Sequence, residues 1–217
     1  MYAVMTAEPL ESDDLLPPPS SAILRHYGTS EASMNQLAAR PHQFLVMKRS
    51  TLDDVALVTK DARIEALRLA EAHDGLVIDL AIPRVIEQRS DDVSLAQATQ
   101  WYAVDYAELE KKRIRTIGLA AFGLPEIVMQ GVPETNHAMY SAVLAGLAHR
   151  LIAEWPANDP VGQATVTLRD IAYGLGGSEA AATPKDRTID VDIAYRKTTN
   201  VLAVKVLGDP AKQLFGA

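Results

Sequence analysis

Within twelve residues, Phe122-Gly123-Leu124-Pro125 and then Glu126-Ile127-Val128-Met129-Gln130-Gly131-Val132-Pro133 spell a turn, a short apolar strand, a second turn and a helix start. Proline presets one turn dihedral and glycine frees another, so Gly123-Leu124-Pro125 bends the chain between two extended segments. The preceding run 113–119 is the natural hairpin partner of 126–132. Pro133 suits the first turn of a helix, where its missing donor costs nothing. Tyr140, Val143, Leu144, Leu147, Leu151 and Ile152 then form an apolar stripe, opposite small residues (Ala138, Ala142, Ala145, Gly146) that let another element approach closely.

The first half carries a second such grouping. Thr29 or Ser30 caps a short helix through Ala39, which Pro41 stops. The apolar run 44–48 reads as a strand. A long helix to His73 follows, its apolar face drawn from Leu52, Val55, Ala56, Thr59, Ala62, Ala66, Leu69 and Ala70. Gly75 supplies the left-handed stop. The run 76–80 reads as a second strand, parallel to the first through a right-handed crossover. A strand fragment is expected at 101–104, and three further strands at 164–171, 188–195 and 201–207. Gly174-Leu175-Gly176-Gly177-Ser178 lies among the last three. A phosphate loop wants a strand before it and a helix directly after it, whereas Pro184 follows here, so the segment reads as a mobile strand connection.

Composition narrows the function. The chain has 217 residues, 48% of them hydrophobic, which is enough for one cored domain or one domain of two halves. Acidic residues outnumber basic ones by 28 to 21, and Glu8, Glu11, Asp13 and Asp14 lie in the first twenty positions, which hold no Lys or Arg. That acidic stretch ends in Pro17-Pro18-Pro19 and reads as a disordered tail over residues 1–20. The balance left elsewhere argues against neutralising nucleic-acid phosphates. No cysteine is present, so thiolate chemistry and Cys-based metal sites are excluded. The opening residues lack a signal-peptide pattern, and no apolar run approaches the roughly 20 residues of a membrane helix. A cytoplasmic protein with no membrane contact is the expectation.

Candidate chemistry is sparse. Asp79 sits in an apolar strand just before Pro83-Arg84, where a carboxylate can serve as acid or base, or simply cap a loop and pair with Arg84. Glu126 can face Arg113 or Arg115 across the hairpin. His137 begins the second long helix, and His149 follows it at a separation of twelve, about 120° around the helix. No histidine has the i, i+4 spacing of a helical zinc site, and no cofactor is expected. Asp190 and Asp192 share a strand face, and Lys111-Lys112-Arg113 with Arg115 forms a basic cluster at a strand entrance.

The pattern predicts an α+β protein with mainly antiparallel sheet and two long amphipathic helices. Residues 21–217 form one domain of two similar halves, about 41–110 and 111–217. In outline the halves resemble ferredoxin-like modules. The expected function is a non-catalytic binding module that meets a protein partner, or a second copy of itself, through a sheet face or an edge strand. The segment 201–207 is the expected edge, with Val201, Ala203 and Lys205 as contact residues. The competing expectation is a hydrolase-like site built from Asp79, Glu126 and His137.

Overall fold

A computed structural model describes residues 19–40, 42–154, 161–177 and 179–216. The expected tail lies almost wholly outside the described residues. The chain divides into two compact units, Met1–Ser94 and Leu95–Ala217. Helices, a two-stranded antiparallel sheet and a mixed six-stranded sheet make it an α+β protein.

In the first unit, α1 (Ser21–His26) and α2 (Glu31–Ala38) each start on a serine cap, Ser20 accepting from the Ile23 amide and Ser30 from that of Ser33. The carboxylate of Glu87 accepts from the hydroxyls of Ser33 at 2.6 Å and Ser30 at 2.9 Å. These bonds, Ser33 foremost, hold its pKa below the usual carboxylate range. The 18-residue α3 (Val55–Ala72) follows. Its buried positions, Val58 and Leu67, lie outside the stripe suggested by the sequence, and Asp54 occupies its N-cap. At the C-terminus the left-handed residue is Asp74 (φ 48°), and Gly75 instead lets the chain pass Ala70 closely.

The strand pairing in this unit corrects the expected crossover. β1 (Val77–Asp79) pairs antiparallel with β2 (Arg84–Ile86), with Asp79 opposite Arg84. Residues 44–48 form no strand beyond a single bridge residue at Phe44. The Phe44 ring stacks instead on His73, centroids 5.6 Å apart. A four-residue connection closes a hairpin at a loop-closure cost about 2 kcal/mol lower than a crossover of roughly thirty residues.

The second unit is built on one sheet of β3 (Ala103–Asp105), β4 (Arg113–Ile117), β5 (Glu126–Gln130), β6 (Gly162–Thr167), β7 (Thr188–Arg196) and β8 (Val201–Val206), in the order β3-β4-β5-β8-β7-β6. Among the paired neighbours of the described sheet, only β5 and β8 pair in parallel. This order and the β1–β2 hairpin differ in strand number and topology, so the two units do not repeat one another. The division before Leu95 also keeps β3 with its partner β4, where a boundary near residue 110 would part them.

Alternation explains the sheet's two faces. Ile114, Ile127, Met129, Leu202, Val204, Ile189, Val191 and Val166 are buried on the side of α4 (His137–Glu154), which supplies Val143, Leu144 and Leu147. Each such side chain contributes about 1.5–3 kcal/mol when fully buried. The small face of α4 receives α5 (Leu168–Gly174), as its sequence implies. A Cβ on Gly146 would fall 2.8 Å from the Val166 side chain, and one on Gly174 only 2.2 Å from the Ala145 carbonyl oxygen.

α5 replaces the second half of the strand expected at 164–171. Thr167 ends β6 and closes a reciprocal cap, its hydroxyl accepting from the Asp170 amide (3.0 Å) and the Asp170 carboxylate from its own amide (2.9 Å). The glycine-rich segment that follows is the helix stop. Gly177 donates to Ala172 at 2.9 Å and Gly176 to Tyr173 at 3.0 Å, while Ser178 lies outside the described residues. Finally α6 (Pro210–Phe215) starts on Asp209, whose carboxylate accepts from Ala211.

The α4–α5 seam holds a titratable group. The His149 ring stacks on Tyr173, centroids 4.9 Å apart, and burial lowers its pKa against the opposing pull of Asp170 and Glu154. The folded state therefore prefers the neutral ring, so this contribution to stability is complete above the ordinary histidine range, about pH 6.5, and lost as pH falls through it. His149→Phe keeps the stack and removes the proton site. Thermal melts between about pH 7 and pH 5 should show a shallower loss of Tm for the variant than for the parent. Parallel curves would deny His149 this role.

Candidate functional site

Because side chains alternate across a strand, a sheet covered by α4 on one face presents its other face as a patterned surface. Register places Arg113, Gln130, Lys205, Asp192 and Gln163 in one cross-strand row. The next row holds Asp105, Arg115, Val128, Ala203 and Ala194. Its middle is therefore small and apolar, with charge on either side. Asp190, Asp192, Ala194, Arg196, Gln163 and Thr165 are all exposed. Lys205 and Asp192 stand opposite one another, yet neither makes an ion pair among the described residues.

Val201, Ala203 and Lys205 lie on this face, but not on an edge. Their strand, β8, has β5 on one side and β7 on the other, which corrects the expectation that 201–207 ends the sheet. Leu202, Val204 and Val206 give it a buried inner face like those of its neighbours, and nothing in six alternating residues distinguishes an interior strand from an edge. The true edges, β3 and β6, are both blunted. β3 is three residues long, and its Asp105 folds back to accept from the Ala107 amide at 2.9 Å. On β6, Arg150 donates to the Thr165 carbonyl at 2.7 Å and Asp170 takes the Thr167 amide. Short length and occupied backbone groups are how sheets discourage further strand pairing.

At the β3–β4–β5 end the face sinks into a cleft of about 400 Å³, bounded by Asp105, Ala107, Glu108, Arg113, Arg115 and Val128. Arg115 Nε donates to Asp105 at 3.0 Å, and Arg113 pairs with Glu108 at 3.3 Å. The sequence's basic cluster thus divides. Arg113 and Arg115 enter the cleft, while Lys111 reaches Glu108 from outside at 3.6 Å.

Each of the three candidate catalytic residues is held by local hydrogen bonds. Asp79 and Arg63 form an ion pair, their side chains only 11% and 9% exposed. Asp79 also accepts from the amides of Ala81 (2.9 Å) and Ile82 (3.3 Å), closing the β1–β2 turn. Burial is the largest influence on Arg63 and brings its pKa down to about 10, with Asp79 opposing and nearby Arg84 adding to the fall. Glu126 faces neither Arg113 nor Arg115. It gathers the Thr116 hydroxyl (2.7 Å) and the amides of Gly118 (2.9 Å) and Ala120 (3.2 Å), pinning the turn after β4. His137 donates from Nδ1 to the Glu134 carbonyl at 2.7 Å and sets its ring edge-on to Tyr106. Asp79 belongs to the first unit and the other two to the second, and no hydrogen bond joins Glu126 to His137.

Among the described residues no helix is long and apolar enough to cross a membrane. No protein-family model, curated protein or solved structure matches the chain.

Proposed function

We infer that the protein is a non-catalytic interaction module, and that it takes a protein partner on the sheet face turned away from α4. The observation that carries this reading is the strip at Ala203 and Ala194, small and apolar, beside Lys205 and Asp192, which make no ion pair among the described residues. Small residues let a partner approach the sheet closely, and the flanking charges orient it. The blunted edges favour the face over strand addition. The occupied carboxylates of Asp79 and Glu126 favour binding over a hydrolase-like reaction, since both already meet several donors.

Ala203→Arg puts a long cation in the middle of the strip without touching the buried face. Native mass spectra of the parent, gently purified from its source, should show a second polypeptide or a second copy. The variant should melt normally and lose that species. Retention of the same complex by the variant would move the interface elsewhere, and a parent that is monomeric and alone would overturn the reading.

A further inference from the structure

Two contacts lay residues 44–48 out along α3. Phe44 stacks on His73, and Lys48 Nζ meets Glu65 at 2.9 Å. Glu65 and His73 are eight positions apart, about 12 Å at the rise of a helix. The four steps from Phe44 to Lys48 cover about 13 Å only when the chain is nearly straight. The segment is therefore strand-like and antiparallel to α3, yet it belongs to neither sheet. Among the described residues the backbones of Leu45, Val46 and Met47 make no hydrogen bond, and Phe44 and Met47 are 37% and 49% exposed. Nothing occupies these donors and acceptors as Asp105, Arg150 and Asp170 do on β3 and β6, so the segment is open to strand addition.

We propose that the occupant of this open strand is the chain's own leading segment, residues 1–18, with residues 2–6 added alongside residues 44–48. Charge is the first argument. Residues 32–52 include Arg40, Lys48 and Arg49 and no acid, whereas residues 1–18 include Glu8, Glu11, Asp13 and Asp14 and no Lys or Arg. Arg40 and Lys48 each meet one carboxylate, Asp74 and Glu65, but Arg49 makes no ion pair among the described residues. Composition is the second. Tyr2-Ala3-Val4-Met5-Thr6 has no Pro or Gly and mixes aromatic and β-branched residues, types that suit a strand. Laid parallel, the two apolar runs pair while Glu8 comes next to Arg49. Reach is the third. The segment rejoins the fold at Ser20, the cap of α1 in the same unit. Eighteen extended residues span about 60 Å, against about 27 Å for the whole of α3. This surface belongs to the first unit, so the inference stands or falls apart from the sheet face of the second.

The chain has no cysteine, so Ala7→Cys gives a single site for a nitroxide on the full chain. With ¹⁵N labelling, the amide signals of residues 44–49 should broaden while the nitroxide is oxidised and recover when it is reduced. Hydrogen exchange should show protection at every second amide of that run, the period of a strand edge. Replacing the four acids by their amides (Glu8→Gln, Glu11→Gln, Asp13→Asn, Asp14→Asn) changes no described residue. It should lower that protection about fivefold or more, the sum of several exposed charge pairs. Arg49→Glu should lower it from the other side. Nitroxide protein without ¹⁵N, mixed with ¹⁵N protein lacking the nitroxide, should leave the signals sharp. Broadening in that mixture would make a second copy the occupant. That result, no broadening in the doubly labelled chain, uniformly fast exchange over 44–49, or protection unchanged in both variants would each overturn the proposal.

Discussion

Asp79→Asn is expected to destabilise the protein by about 3 kcal/mol, the cost typical of removing one partner from a buried ion pair. Arg63 is 9% exposed and already has its pKa lowered by burial, and Arg84 is lowered by burial too, so both depend on the Asp79 charge. Asparagine can still accept from the Ala81 and Ile82 amides, which isolates the loss of charge from the loss of the turn cap. Arg63→Met should cost less, because Asp79 then retains two amide donors and the neighbouring Arg84. Urea unfolding of both variants gives the comparison. An Asp79→Asn protein as stable as the parent would remove the structural account and return that carboxylate to the list of catalytic candidates.

Gly174→Ala should cost about 3 kcal/mol, at the upper end for overpacking. The added Cβ would sit 2.2 Å and 2.3 Å from the carbonyl oxygen and carbon of Ala145 and 2.8 Å from the Gly146 amide. All three are backbone atoms of a buried helix, so no side chain can swing aside to make room. Alanine's better helix propensity returns about 1 kcal/mol at most. Gly131→Ala is the control. Its φ of +76° disfavours any side chain, but nothing lies within 4 Å of the new atom, and a loss of about 1 kcal/mol is expected. Thermal and urea unfolding should rank Gly174→Ala well below Gly131→Ala. The reverse order would mean that α4 and α5 separate easily.

What could be read from the chain depended on how local the determining contacts are. The β4–β5 hairpin, the helix after Pro133 and the alternation of Ile189, Val191 and Ile193 follow from neighbours a few residues apart. So does the small face of α4, since Ala145 and Gly146 announce a close approach whatever arrives. Phe44 and its neighbours misled because an apolar run states only that it seeks burial, and a ring stack on His73 satisfies that as well as a strand does. Thr167-x-x-Asp170 was a legible helix start inside an apparent strand, a capping pattern outweighed by apolar alternation. The interior place of β8 was not legible, since it depends on β5, separated from it by some seventy residues. Asp79 and Glu126 were legible as unusual carboxylates, but their donors, a helix side chain and a set of turn amides, belong to tertiary structure.

The parallel pairing of β5 with β8 also sets an order of assembly. Until the segment Val201–Val206 is made, β3-β4-β5 and β6-β7 have no strand to join them, and each ends in an unpaired row of backbone donors and acceptors. The last strand enters between two ladders already able to form, like a keystone, and its contacts with β5 span most of the unit. Pairings of that range form slowly and leave open edges exposed meanwhile. During synthesis, then, this unit is most vulnerable to association with other nascent chains just before its final strand emerges.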